Sequence, residues 1–196
     1  MHKEVGTTAD PELEHVAACV RRWLQDVVVG LDLCPWARGP LETGRVRIAV
    51  SEQMEHVDVL ADLWWEIERL MGTTSAELET TLLVVPFGLA DFDEYLDVVS
   101  HARDVVLPQT EAVGKVQLAT FHPRYEFEGS DGADPANFTN RSPWPILHLL
   151  RERSIERVVE AHDDTLAVPR RNARIFRQMP ASVLRDFVFG YHVPLA

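Results

Sequence analysis

Cysteine is nearly absent from this chain: its 196 residues include only Cys19 and Cys34. Two thiols cannot build a disulfide framework or a four-cysteine zinc site, and we expect both to be reduced. Long apolar runs are also absent. The first residues, MHKEVGTTADPELEHV, contain no apolar signal core, and no later run is long enough to cross a bilayer. The sequence therefore predicts a soluble protein of the reducing cytoplasm with no membrane partner.

Basic residues are scarce, since 19 Lys and Arg stand against 31 Asp and Glu, and the net charge is −12. An acidic chain repels the phosphate backbone, so we expect no nucleic-acid partner. A local basic pocket inside an acidic surface is still possible because arginines cluster in the last third of the chain. They are Arg141, Arg151, Arg153, Arg157, Arg170, Arg171, Arg174 and Arg177.

Several common functional signatures are missing as well. The chain has neither GxxxxGK[ST] nor GxGxxG, so the sequence offers no nucleotide-phosphate loop. It also lacks the GxSxG elbow that carries the nucleophile of many hydrolases. These absences leave any cofactor unidentified.

What the chain does contain is enough apolar material for one core, because 46% of its residues are hydrophobic. Along the chain, segments whose apolar residues recur at helical spacing alternate with short runs rich in β-branched residues. We predict an α/β or α+β fold in a single domain, with a small sheet of three to four strands packed by helices and a helical C-terminal third. Residues 1–10 are expected to be flexible, residues 11–179 to form the globular domain and residues 180–196 to extend from it.

The element boundaries follow from this spacing and from the positions of proline and glycine. Strands are predicted over residues 46–51, 80–87 and 115–123. Helices are predicted over residues 11–29, 55–70, 91–106, 143–152, 154–161, 169–179 and 182–189.

The stretch TNRSPWPILHLLR, residues 139–151, fits a helix that Ser142 caps and Pro143 begins. Helix initiation does not explain Asn140, Arg141, His148 and Arg151. A helix N-terminus attracts anions, and a neighbouring Arg141 can hold a carboxylate or phosphate with two donors. The alternative is that these polar residues form a solvated helix face.

His122 ends a predicted buried strand, in TFHPRYEF, and opens a long loop. A histidine in this position can transfer protons or bind a metal, and Arg124 and Tyr125 are expected to line the same cleft. The alternative is a histidine that satisfies a buried backbone carbonyl.

Cys34 precedes Pro35 in LCPWA and is expected to cap a short helical turn. Two backbone amides pointing at the sulfur would lower the pKa of the thiol and make it nucleophilic. The alternative is a small buried hydrophobic side chain. Cys34, His122 and His148 are also residue types that bind zinc, although no two of them share a metal-ligand spacing, so a metal site stays an open alternative.

The blocks LDLCPWA, ETTLLVVP, VQLATFHPRYEFEG, NFTNRSPWPILHLLRERSIE and VPRRNARIF, in this order, resemble a bacterial family known as domain of unknown function 1415. The resemblance covers roughly residues 12–178. It brings no activity, substrate or cofactor to this chain, but it implies that the motifs described above belong to one recurring pattern. The chain departs from that pattern at Trp36 and Trp144, and its tail after Met179 matches nothing expected of the family.

We expect a small enzyme that acts on an anionic small molecule carrying a carboxylate or phosphate. The candidate catalytic residues are His122, Cys34 and His148. The candidate substrate-binding residues are Arg141, Asn140, Arg124, Tyr125 and Arg151. One alternative is a non-catalytic module that binds or senses a metabolite. Another is a structural network in which Arg141 pairs with Glu126 or Asp134 and orders the long loop.

Overall fold

The computed structural model describes residues 10–160 and 167–191. The predicted flexible segment, apart from Asp10, and residues 192–196 of the predicted C-terminal extension lie outside the described residues. Among the described residues, no helix has the length and apolar character needed to span a membrane.

Four strands form one mixed sheet in the order β1-β2-β4-β3. Their bounds are β1 Val46–Val50, β2 Thr80–Val84, β3 Val116–Phe121 and β4 Ile146–Arg151. β1 runs parallel to β2, whereas β4 is antiparallel to both of its neighbours, β2 and β3. The predicted small sheet packed by helices is confirmed, and the fold is a single α+β domain.

Helices surround the sheet and supply the C-terminal part of the described chain. They are α1 Pro11–Trp23, α2 Arg38–Glu42, α3 His56–Gly72, α4 Phe92–His101, α5 Glu152–Glu160, α6 Ala167–Arg177 and α7 Ala181–Phe189. α1 begins where the sequence predicts, since the Asp10 carboxylate accepts a hydrogen bond from the Glu12 N–H at 2.9 Å. α1 and α4 each continue into a π-helical segment, Leu24–Val29 and Ala102–Val106.

The helix predicted over residues 143–152 is wrong, because Ile146–Arg151 is the interior strand β4. An interior strand covered on both faces reads as a continuous apolar run, and its periodicity cannot be distinguished from that of a short buried helix. Pro145 lies just outside the strand, where its carbonyl accepts a hydrogen bond from the Val85 N–H at 2.9 Å. The proposed anion site therefore loses the helix N-terminus on which it depended.

The sheet separates two hydrophobic layers. On one face, Leu83, Leu147 and Leu149 pack with α3 and α4. On the other face, Leu82 and Ile146 pack with side chains of α1, α6 and α7. Because side chains alternate along a strand, His148 shares the second face with Ile146, two residues earlier.

Candidate functional site

A cavity of about 130 Å³ lies over the second face of the sheet. Its floor consists of side chains from three strands, Thr80, Leu82, Ala119, Phe121, His148 and Leu150. Leu24 and Val28 of the π-helical segment line one side, and Cys34 and Trp36 of the loop before α2 line another. His148 and Leu150 remain partly exposed although they lie on the inner strand β4, and Ala119 on the edge strand β3 is partly exposed too. The covering layer therefore leaves a mostly apolar space above the middle of the sheet.

The loop over this space is held in place by α6. Asp32 adopts a left-handed conformation with φ of 52°, which turns the chain after the π-helical segment. The buried Asn172 side chain donates from Nδ2 to the Leu33 carbonyl at 2.7 Å. Arg171 adds an ion pair to the Asp32 carboxylate at 2.7 Å. These contacts fix the backbone on both sides of Leu33 and so position Cys34 beside the sheet.

His148 has a defined tautomer. The Thr80 hydroxyl donates its proton to the Leu149 carbonyl at 2.6 Å, so it must accept the 2.7 Å hydrogen bond from His148 Nε2–H. Nδ1 is then an acceptor, and no partner for it lies within the described part of the chain. Burial lowers the pKa of His148 to about 4, so the ring is neutral at pH 7.

Cys34 lies just before a turn, as the sequence predicts, but its acidity differs. The Ala37 N–H donates to the Cys34 carbonyl at 3.1 Å, and the backbone N–H groups of Trp36 and Ala37 act to lower the pKa of the thiol. Burial outweighs them and raises the pKa of the Cys34 thiol, and the negative charge of Asp32 adds to the rise. The expected lowering of this pKa is therefore wrong, because the loop also places the thiol against the cavity wall.

The two titratable groups of the cavity consequently rest as a neutral thiol and a neutral imidazole. Burial raises the pKa of the Cys34 thiol and lowers that of His148 to about 4. Both shifts oppose the transfer of the proton from the thiol to the imidazole. The site does not hold a preformed thiolate–imidazolium pair.

His122 lies on the opposite face of the sheet and is fully buried. Its Nε2–H donates to the Leu89 carbonyl at 2.9 Å, and its Nδ1 accepts from the Arg124 N–H at 3.0 Å. Its ring packs 5.0 Å from that of Tyr95, and burial lowers its pKa. Leu89 has a positive φ of 59°, so this hydrogen bond stabilises an uncommon backbone conformation. The hydrogen bond to Leu89 fits the alternative stated for His122, a histidine that satisfies a buried backbone carbonyl.

Arg141 also binds the protein's own backbone. Its guanidinium donates to the carbonyls of Tyr125 and Gly132, both at 3.1 Å, and stacks over the Phe138 ring at 4.5 Å. These contacts tie Arg141 to the long loop, as expected if it belongs to a structural network. Its partners are backbone carbonyls, however, and not the carboxylates of Glu126 or Asp134. Asp134 pairs with Arg177 at 2.6 Å instead.

The remaining predicted substrate-binding residues have local partners too. Arg151 donates to the carbonyls of Leu70 and Thr73 at the end of α3 and to that of Leu78, shortly before β2. Asn140 donates to the Thr120 carbonyl at 3.0 Å. Further contacts join Arg124 to Ala90 and Asp91, and the ring of Tyr125 to those of Phe92 and Phe127.

The structure thus brings Cys34 and His148 to one cavity and places His122 on the other face. Within residues 10–160 and 167–191, no three His, Cys, Asp or Glu side chains form a group that could hold a metal ion. Sequence reasoning did not assign a role to Thr80 or Trp23. The only sequence signal for Thr80 was its position in the ETTLLVVP block, and Trp23 was covered only by the predicted helix over residues 11–29.

The family model described as "Protein of unknown function (DUF1415)" matches residues 15–186, and the chain belongs to this family. The resemblance stated from the sequence motifs is therefore confirmed. No curated protein and no solved structure shows a significant match to the chain.

Proposed function

We propose that this member of the DUF1415 family binds a small, mainly apolar molecule in the cavity beside His148 and Cys34. The observation that carries the proposal is a histidine on an inner strand whose ring lines an apolar space and keeps an acceptor nitrogen without a protein partner in the described chain. Two free cysteines fit a cytoplasmic setting for this protein.

The size of the cavity restricts the ligand. About 130 Å³ is close to the volume of cavities that hold benzene, and it is well below the space of about 300–1,000 Å³ that drug-sized ligands occupy. A single ring, or a chain of similar volume, fits. A hydroxyl or N–H on the ligand would donate to Nδ1 of His148.

Trp23 supplies a second polar feature. Its ring lines the cavity, and its indole N–H is buried without a hydrogen-bond partner in the described residues. Such an unsatisfied donor costs roughly 1–3 kcal/mol. An acceptor atom that reached the indole from the cavity would remove this cost, so a ligand with both a donor and an acceptor suits the site.

The charge of the wall argues against an anion in this cavity. No Lys or Arg side chain among residues 10–160 and 167–191 lines it, and an uncompensated negative charge in an apolar site is strongly unfavourable. The arginines first considered as an anion clamp bind backbone carbonyls elsewhere. We therefore favour a neutral ligand here over the anionic substrate expected from the sequence.

An enzyme is the second candidate, and the backbone amides of Trp36 and Ala37, which act to lower the pKa of the Cys34 thiol, favour it. They would stabilise a thiolate if a bound electrophile drew the proton away. Burial opposes the charging of both the Cys34 thiol and the His148 ring, so simple binding is the better-supported function.

The proposal can be tested by calorimetric titration with phenol and with toluene, which have similar shapes. We expect saturable binding of both and tighter binding of phenol, because only phenol donates a hydrogen bond. Ala119→Leu places three extra carbon atoms in the floor of the cavity and should abolish binding. Gln117→Leu, on the same strand but exposed, is the matched control.

Circular dichroism of both variants would establish that they fold. No saturable binding by the wild-type protein, or equal binding by the Ala119→Leu variant, would overturn the proposal.

A further inference from the structure

A second depression, of about 470 Å³, lies at the end of the sheet beside the C-terminus of α3. Four cationic side chains line it, Lys115, Arg151, Arg153 and Arg157. Hydroxyl groups of Thr73, Thr74, Ser75 and Ser154 complete the polar wall. The volume is in the range of about 300–1,000 Å³ that small-molecule pockets occupy. Nothing in the apolar cavity described above accounts for this arrangement.

Two of the four cations have no counter-charge. Within the described chain, the Lys115 ammonium and the Arg153 guanidinium have no hydrogen-bond or ion-pair partner. Both side chains are exposed. This is unexpected in a protein with 31 acidic and 19 basic residues, where a carboxylate would be readily available to pair with each.

The other two cations are fixed in place. Arg151 is held by the carbonyls of Leu70, Thr73 and Leu78, so its charge stays at the base of the depression. Arg157 donates to the Ser154 hydroxyl at 3.1 Å and to the Arg153 carbonyl at 3.1 Å. A preorganised base with two free cations at its rim needs little rearrangement to hold an anion.

Nearby carboxylates do not cancel this charge. Glu79 is buried and already pairs with Arg45 at 3.2 Å, while accepting a hydrogen bond from Ser154. Glu77 lies near the rim, where it accepts from the Thr74 hydroxyl at 2.8 Å. Glu152 accepts from Gln117 on the outer side of β3. Among the described residues that line the depression, four are cationic and none is a carboxylate.

We propose that this depression binds a small polyanion, a molecule with two or more phosphate or carboxylate groups. Arg153 and Lys115 hold one end of the ligand through charge-assisted hydrogen bonds, and Arg157 with the neighbouring hydroxyls holds the other. A concave site lined by one sign of charge also concentrates anions from solution, which an otherwise acidic surface would repel. Binding here is independent of the ligand proposed for the apolar cavity.

Calorimetry at constant ionic strength would test the proposal, with pyrophosphate as the phosphate probe and citrate as the carboxylate probe. The test variant is Lys115→Gln with Arg153→Gln, which removes the two unpaired cations and touches no internal contact. Its charge-matched control is Arg21→Gln with Arg185→Gln, which removes two exposed cations from α1 and α7.

We expect saturable binding of at least one probe, weakened about tenfold or more in the test variant and within about twofold in the control. The probe that binds more tightly identifies the charged group that the site prefers. Failure of both probes to bind the wild-type protein would overturn the proposal. So would an equal loss in the two double variants, because that result would reflect net charge alone.

Discussion

At the scale of single residues, His148 and His122 show how one side-chain type takes opposite roles in this fold. Both rings are neutral at pH 7 because burial lowers their pKa values. His122 has both nitrogens bonded to backbone groups, so it holds the turn at Leu89. His148 has one nitrogen bonded to Thr80 and the other available to a ligand. The sequence marked both histidines and could not separate these roles, since the difference lies in which neighbours each ring meets.

His148 is expected to make the protein less stable in acid. Its pKa is about 4 when folded and 6.5 in an unfolded chain, so between these pH values only the unfolded state takes up the proton. The stabilisation is present above pH 6.5 and is lost as the pH falls towards 4, by about 3 kcal/mol in total. Urea unfolding measured at pH 7 and at pH 4.5 should show that the free energy of unfolding falls less for His148→Gln than for the wild type.

The exposed His101→Gln substitution is the control for this comparison. It should retain the acid sensitivity of the wild-type protein. Equal acid sensitivity of the His148→Gln and wild-type proteins would contradict the assigned environment of the ring.

Cys34 is expected to react slowly with iodoacetamide at neutral pH. Burial raises the pKa of this thiol, so little thiolate is present at neutral pH, and the rate should rise steadily as the pH is raised into the alkaline range. Site-resolved mass spectrometry would follow Cys34, with the buried Cys19 as an internal reference. A rate that levels off below pH 8 would indicate a stabilised thiolate and would favour the enzyme over simple binding.

At the scale of elements, β4 marks the limit of sequence reasoning. Helices with one apolar face, such as α1 and α3, were predicted close to their observed bounds because they show a clear 3.6-residue period. Residues 146–151 form an inner strand with apolar side chains on both faces, so their apolar run carried no period that separates strand from helix. The wrong prediction placed His148 on a solvated helix face, whereas the structure places it on the floor of a cavity.

The loop before α2 is the other element on which the site depends. Asn172→Ala removes the hydrogen bond to the Leu33 carbonyl and should cost about 1–3 kcal/mol of stability, since that carbonyl is then left without this donor. Because the loop carries Cys34 and Trp36, phenol binding should also weaken several-fold. Thermal unfolding and calorimetry would measure the two effects.

Arg174→Ala, an exposed change on the same helix, is the control and should alter neither quantity. If Asn172→Ala lowers stability but leaves phenol affinity unchanged, the loop does not shape the site.

At the scale of the whole molecule, the two faces of the sheet differ in how completely helices cover them. One face is filled by α3 and α4 and contains His122, whereas the other face is incompletely covered and carries the apolar cavity. Composition and spacing predicted the fold class and most elements. They could not give the strand order, because β4 enters between β2 and β3 from far along the chain. Without that order, Thr80 could not be placed beside His148.

Five tryptophans allow the central claim to be tested in one nitrogen-15 NMR titration of their indole N–H groups with phenol. Trp23 and Trp36 line the cavity, whereas Trp64 and Trp65 lie on α3 at the opposite face of the sheet. We predict saturable shifts for the first pair and unchanged signals for the second. Signals that stay fixed throughout, or shifts of all these indoles in proportion to phenol concentration, would contradict a binding site in this cavity.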